Sequence, residues 1–378
     1  MFEHLPYHPL DPIFQLLAEY QVDPRPEKVN LGIGLYADHE GKPFVFPVVK
    51  EVFGKIDLHN FNYQPIGGNK DFLRLAGELV LPGFDQKNLA LHTTCGGTQA
   101  CSLFKELLLA ENPKSSILLG TPTWPNHLVI FKNLSIKKFD HLNAQGEANF
   151  EGYVQAIESA KSGDVLLLHG GLTHNPTGRN LSLEQLKKLI PILKRKKVFV
   201  FLDFAYLGFG EGIGEDRKYV QIFFDELDDV ACGISFSKNA SLYEHRIGVL
   251  IIKTNEKQAV ESQLQQFTRE SISMAPGLGQ EVMTLVLRDH QKRWSQEVDD
   301  VRRDMDERKA MLLKELPDEF QSLKECRGMF GLLPLTSEQV QRLKNEYAVY
   351  VTENARINFA GILPGRVGYI ASSIRQVL

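Results

Sequence analysis

Ser235-Phe236-Ser237-Lys238-Asn239-Ala240-Ser241-Leu242-Tyr243-Glu244-His245-Arg246-Ile247-Gly248 is the stretch from which the rest of the chain can be read. Before it, Val230 to Ile234 is apolar and strand-like; after it, Arg246 to Ile252 reads as a second buried strand. Lysines are mostly exposed, so a surface cation is the ordinary reading of Lys238. Placed at the mouth of a sheet, the same lysine is instead a desolvated amine, competent as a Schiff-base nucleophile.

Outward from that stretch the chain alternates. Strand-like runs at Leu89–Thr94, Ser116–Gly120, Asp164–His169 and Lys197–Leu202 are separated by helix-length segments such as Phe72–Leu81 and Leu183–Leu193. Pro191 is expected to disturb the last turn of the latter. A short helix is expected from Asp11 through Tyr20, with Pro12 in its first turn, and a glycine-interrupted strand over Asn30–Tyr36. Apolar strands alternating with helices predict an α/β fold with a mainly parallel sheet covered on both faces. In such sheets ligands bind beyond the carboxyl ends of the strands. Cys95-Gly96-Gly97-Thr98, Trp124-Pro125-Asn126-His127, His174-Asn175-Pro176-Thr177-Gly178 and Asp203-Phe204-Ala205-Tyr206 all fall at or soon after such ends. Beyond Pro276-Gly277, Trp294, Val298, Val301, Met305 and Leu312 mark the core stripe of a long amphipathic helix. The remainder reads as a smaller α+β domain.

The totals exclude several classes. The chain has 378 residues, 43% of them apolar and 24% charged, as in an ordinary globular protein long enough for two domains. A net charge of -4 implies no general affinity for nucleic acid or anionic membrane. None of Cys95, Cys101, Cys232 and Cys326 forms a CxxC pair, so no metal site is expected. The proline-broken start lacks the pattern of a signal peptide, and no apolar run approaches the roughly eighteen residues of a membrane span. A cytoplasmic location is the expectation.

Each polar motif has a bland and a chemical reading. Gly96-Gly97-Thr98, between strand and helix, is a plain turn or a phosphate site built from backbone N–H groups and a hydroxyl. It does not match GxGxxG, and no Walker sequence occurs. Asp203 is a helix N-cap or a buried carboxylate needing a cationic partner, which a pyridinium N–H would supply. Trp124 is a core tryptophan or a stacking surface for an aromatic cofactor. His127 is a satisfied loop histidine unless Asp203 lies beside it.

Taken in order, these motifs with Ser235–Asn239 and Arg246-Ile247-Gly248 resemble the aspartate/aromatic amino acid aminotransferases, class I enzymes that use pyridoxal 5'-phosphate. The resemblance runs over nearly the whole chain. It implies a large cofactor-binding domain (44–302), a smaller α+β domain built from both chain ends (12–43 and 303–378) and an N-terminal arm (1–11). It assigns Lys238 as the amine that bonds the cofactor and then moves the substrate's proton. Asp203 would pair with the pyridine nitrogen, backed by His127, and Asn175 and Tyr206 would bond the ring oxygen. Trp124 would stack on the ring, while Gly96, Gly97, Thr98, Ser235 and Arg246 would hold the phosphate, with Tyr63 from a neighbouring subunit. Arg356 would grip the substrate's α-carboxylate, a task suited to a bidentate guanidinium. Gly34, Trp124 and Asn175 complete the implied substrate contacts, and Arg269 would reach across a homodimer to a side-chain carboxylate. The implied reaction is ping-pong transamination of aspartate or aromatic amino acids with 2-oxoglutarate.

The sequence departs from the family pattern in places. Gly96-Gly97-Thr98-Gln99-Ala100 stands where GGTGA is usual, so one glycine is lost. Ser271-Ile272-Ser273-Met274-Ala275-Pro276 is more apolar than the usual Asn-Tyr-Ser-Asn-Pro-Pro, and an extra residue precedes Asn175. Leu35 is the aromatic-type choice, Asn62 the aspartate-like one. Within the cofactor class a β-lyase or decarboxylase is the alternative. Outside it, Ser235–Lys238 as an SxxK serine acyl enzyme lacks the SDN element, and a ligand-binding regulator lacks room for a DNA-binding module.

Overall fold

Six of the seven strands in the main sheet run in one direction, and the single reversal decides where the site lies. The computed structural model describes residues 2–56 and 62–378. Its strands are β1 (Leu89–Thr94), β2 (Ser116–Thr121), β3 (Ser135–Asp140), β4 (Val165–His169), β5 (Phe199–Phe204), β6 (Val230–Ser235) and β7 (Gly248–Lys253). They lie in the order β1-β7-β6-β5-β4-β2-β3. Only β7 is antiparallel to its neighbours, β1 and β6. The start of β7 therefore lies beside the ends of β1 and β6, with Gly248 paired to both Thr94 and Ser235. Two further registers matter: His169 is paired with Asp203, and Asp203 with Gly233.

The chain divides into two compact units, one running up to Pro43 and resuming at Asp304, the other spanning Phe44–Arg303. The second holds the seven-stranded sheet. One face of that sheet buries Ile117, Leu119, Val165, Leu167, Phe201 and Leu250 against the helix Gly96–Glu111. Phe104 of the helix stacks on Phe201 with ring centroids 4.3 Å apart and planes 10° from parallel. Truncating a buried phenylalanine of this kind costs about 3–5 kcal/mol. Gly233 sets how close the helix comes, because a Cβ there would lie 2.9 Å from that of Ala100.

The first unit has its own core, including Leu31, Leu312, Phe320, Leu343, Ile357, Phe359 and Ile370. Arg356–Asn358 pairs antiparallel with Phe330–Leu332, and Val29–Asn30 parallel with Val349–Tyr350. The mixed α/β architecture expected from the alternation is thus present, with helices against a mostly parallel sheet. The stripe Trp294, Val298, Val301, Met305 and Leu312 is buried, on a helix spanning Gln291–Lys314. Among the described residues no helix is long and apolar enough to cross a membrane.

Three local expectations need correction. Asn30–Tyr36 is not a strand beyond Asn30: the Asn30 side chain accepts from the N–H groups of Gly32 and Ile33 and bends the chain away. Pro191 does not end its helix, which runs from Leu183 to Lys196. Leu186, Leu189, Ile190 and Leu193 are buried on both sides of the proline, so packing outweighs one missing hydrogen bond. The strand expected over Lys197–Leu202 starts later, at Phe199, because Lys197 takes the left-handed conformation that closes the preceding helix.

Buried histidines make stability depend on pH. His92 of β1 bonds the Thr268 hydroxyl at 2.8 Å, and burial pushes its pKa down to about 4. The unfolded ring, near 6.5, gains a proton that the folded ring refuses, so stability falls as the pH drops below 6.5. One such ring costs about 2 kcal/mol by pH 5. Urea denaturation from pH 7 to pH 5 should show this loss shrinking in His92→Gln; an unchanged pH slope would contradict it.

Candidate active site

At the carboxyl edge of the sheet the chain delivers one buried carboxylate and surrounds it with imidazoles. Asp203 is the penultimate residue of β5 and is 2% exposed. Its Oδ2 lies 3.0 Å from His127 Nε2 and 4.0 Å from His169 Nε2. Burial opposes ionisation of this carboxyl. The hydrogen bond from His127, with His169 and Lys238 nearby, outweighs that and holds the pKa below the usual carboxylate value. An ionised carboxylate only accepts, so His127 Nε2 carries the hydrogen, and Nδ1 accepts from the Thr123 hydroxyl at 2.8 Å. Burial pushes His169 down to about 3, which keeps its ring neutral at physiological pH.

Asp203 Oδ1 is buried and has no hydrogen-bond partner among the described residues. An ionised oxygen in that position is costly unless a ligand supplies a donor. Cys101, on the helix behind, has its sulfur with the His127 and Asp203 ligand atoms inside 4.8 Å, and burial beside the Asp203 carboxylate pushes its thiol well above its ordinary pKa.

Lys238, just beyond β6, has its Nζ 5.2 Å from the centroid of the Tyr206 ring. The Tyr206 hydroxyl accepts from Asn175 Nδ2 at 3.3 Å. Lys238 and Tyr206 line a cleft of about 80 Å³ together with Thr98, Trp124, Asp203 and Arg246. Trp124 precedes the helix Pro125–Ile130 and meets His127 edge-on, with centroids 5.2 Å apart.

An anion cup closes one end. Arg246, just before β7, reaches the site because that strand is reversed. Its guanidinium donates to Ser237 Oγ at 3.2 Å, to Tyr243 O at 3.0 Å and to Cys95 O at 3.1 Å. Ser235 Oγ donates to Ser237 Oγ at 3.1 Å and accepts from Ser237 N. Gly96, Gly97 and Thr98 form the first turn of the helix Gly96–Glu111, whose N-cap residue Cys95 makes no side-chain cap bond. Its leading N–H groups are thus not consumed by the cap, which suits an anion.

Pyridoxal 5'-phosphate fits this donor set. The lone buried oxygen of Asp203 would suit a pyridine N–H, the cluster around Arg246 would suit a phosphate, and Lys238 lines the same cleft.

Arg356 and Gly34 belong to the first unit. Arg356 is 3% exposed, donates to Gly32 O, and holds its guanidinium 4.5 Å from the Phe330 ring centroid. A Cβ on Gly34 would lie 3.0 Å from that same ring. Asn358 Nδ2 ties down the loop by donating to Ile33 O and Leu35 O. Tyr63 and Arg269 do not join the Lys238 cluster. Tyr63 is 88% exposed, and Arg269 is exposed and bonded to Ser273 Oγ.

The model of the family "Aminotransferase class I and II" matches residues 26–374. The chain belongs to that family. It is 34% identical to the mitochondrial aspartate aminotransferase of Arabidopsis thaliana, over 98% of this chain and 90% of that one. Among solved structures it resembles an aromatic-amino-acid aminotransferase from Burkholderia pseudomallei covalently bound to pyridoxal phosphate. The TM-score is 0.95 at 29% identity, covering 100% of this chain and 99% of that one. It equally resembles an aromatic amino acid aminotransferase from Psychrobacter sp. B6 cocrystallised with aspartic acid, with TM-score 0.95, 31% identity, and coverage of 100% and 99%. The chain is therefore an aminotransferase. The SxxK reading of Ser235 fails with this membership.

Sequence reading missed His169, Thr123 and Ser237. His169 carried a signal: it ends an apolar strand as Asp203 nearly does, and adjacent parallel strands bring such residues into register. Thr123 and Ser237 carried none beyond proximity to named motifs.

Gly96 provides a direct check of the cup. Its φ is +73°, and a Cβ would lie 2.7 Å from Arg246 Nη2. Gly96→Ala should weaken pyridoxal 5'-phosphate binding about tenfold, through backbone strain and displacement of the guanidinium. Fluorescence titration of the apoenzyme measures this, and undiminished affinity would contradict the cup.

Proposed function

We propose that this aminotransferase moves the amino group of an L-amino acid, aspartate or an aromatic one, to 2-oxoglutarate in a ping-pong sequence. The cofactor is pyridoxal 5'-phosphate. One observation carries the reading: a buried carboxylate, held ionised by His127, with a second oxygen that has no partner. That oxygen keeps the pyridine nitrogen protonated, and the bound ring then supplies an electron sink for the pair left when the substrate's Cα–H bond breaks.

The chain's own groups do the rest. Lys238 Nζ takes the proton from the substrate's Cα and returns it during the transfer. Tyr206, whose hydroxyl accepts from Asn175, would bond the cofactor's ring oxygen. Arg246, Ser235 and Thr98 would hold its phosphate. Arg356 binds the α-carboxylate, its guanidinium steadied on Phe330. Trp124, which lines the cleft, would stack on the ring. A β-lyase or decarboxylase would share this cofactor set; membership in the aminotransferase family favours transamination.

Tyr63 and Arg269 are exposed within one chain, which supports a homodimer in which each serves the neighbouring subunit's site. Arg269 then accepts dicarboxylic substrates, while Leu35, Ile272 and Met274 admit aromatic ones. The aspartic acid cocrystallised with the Psychrobacter aromatic enzyme supports such dual use. The cytoplasm is the compartment we assign, in keeping with four free cysteines.

The test is kcat/KM for L-aspartate, L-phenylalanine and L-tyrosine with 2-oxoglutarate as acceptor. Both classes should turn over, and Lys238→Ala should abolish turnover of each. Activity on aromatics alone would sink the role given to Arg269; sustained turnover by Lys238→Ala would refute the site.

A further inference from the structure

Where the family pattern has a glycine, this chain has Gln99, and the structure shows what the side chain does. Gln99 Oε1 accepts from the backbone N–H of Cys95 at 2.6 Å. Cys95 is the N-cap of the helix Gly96–Glu111, and its carbonyl accepts from Arg246 Nη2 at 3.1 Å. One residue is therefore pinned at both ends, by Gln99 at its N–H and by Arg246 at its C=O. The next residue, Gly96, has a φ of +73° and leaves no room for a Cβ, which would lie 2.7 Å from Arg246 Nη2, so the chain has little freedom at this corner.

This arrangement is half of a capping box. In the full motif an N-cap serine or threonine consumes a first-turn N–H while a side chain from the first turn reaches back to the N-cap N–H. Here only the return bond is made, from one position further along the helix. The corner is fixed, yet no first-turn donor is spent on a cap. A helix N-terminus organised in this way is rigid and open to an anion.

We propose that Gln99 is a positioning residue for the cofactor's phosphate, acting through Cys95 on the guanidinium of Arg246 and on the first turn of the helix. It touches neither the reacting atoms nor the ring. The proposal rests on the cofactor assignment above and assigns a purpose to a position at which this sequence leaves the family pattern.

The experiment is to titrate the full-length apoenzyme with pyridoxal 5'-phosphate and, separately, with pyridoxal, following tryptophan fluorescence. Gln99→Met keeps the length and removes the acceptor. It should lose about five- to tenfold in affinity for pyridoxal 5'-phosphate, as expected for one hydrogen bond, with affinity for pyridoxal unchanged. Equal losses for both ligands, or no loss for either, would overturn the proposal. Should Gln99→Met not fold, Gln99→Ala carries the same comparison, alanine being the best helix former. If the unaltered enzyme does not itself prefer the phosphorylated ligand, the cofactor assignment falls, and this proposal with it. If it does and the variant shows the same preference, Gln99 alone is refuted.

Discussion

Everything at this site depends on keeping Asp203 charged while it is almost wholly out of water. Burial alone would neutralise a carboxyl at the end of an apolar strand. His127 prevents this with a direct hydrogen bond, and the Thr123 hydroxyl, 2.8 Å from the ring's other nitrogen, holds the imidazole in place. The result is a carboxylate with one oxygen satisfied and the other waiting for a donor. A protonated ring nitrogen is a good match for such an oxygen, because a charge-assisted bond in a dry pocket is stronger than one in water.

The sheet's one reversed strand brings the opposite charge. With six strands running together, side chains at their carboxyl ends gather along one edge, which supplies Asp203, Tyr206, Trp124 and Lys238. Arg246 lies before a strand rather than after one. Only because β7 is antiparallel does its leading end meet Thr94 and Ser235. Ten residues separate Ser235 of β6 from Arg246, and within them the chain turns, presents Lys238 and returns with a guanidinium bonded to Ser237 and Cys95. Gly233 lets the helix Gly96–Glu111 sit close on the sheet, where a Cβ would meet Ala100 at 2.9 Å.

Much of this is legible in the sequence alone. The apolar strands and the polar residues following them predicted a sheet-edge site, because periodicity and burial are local properties of the sequence. Asp203 with His127 is legible only as a conditional pair; the 3.0 Å contact joins the helix that follows β2 to the end of β5, with β4 between the two strands. Gln99 could be seen as a lost glycine but not as a replacement, since its bond to Cys95 runs back across a turn. Asn30 and Pro191 misled for opposite reasons. At Asn30 a side chain competed successfully with strand pairing, whereas at Pro191 tertiary packing overrode a helix breaker. His169 was overlooked because a lone histidine has many bland uses, and only the register with Asp203 singles it out.

The most direct measurement is a half-reaction. Holoenzyme mixed with L-aspartate and no 2-oxo acid should release a single equivalent of the corresponding 2-oxo acid per site, free of ammonia, and then stop. Adding 2-oxoglutarate should restart it, with glutamate formed in step. Continuous turnover without an oxo acid, or release of ammonia, would contradict a transaminase and place this site in another branch of the same cofactor chemistry.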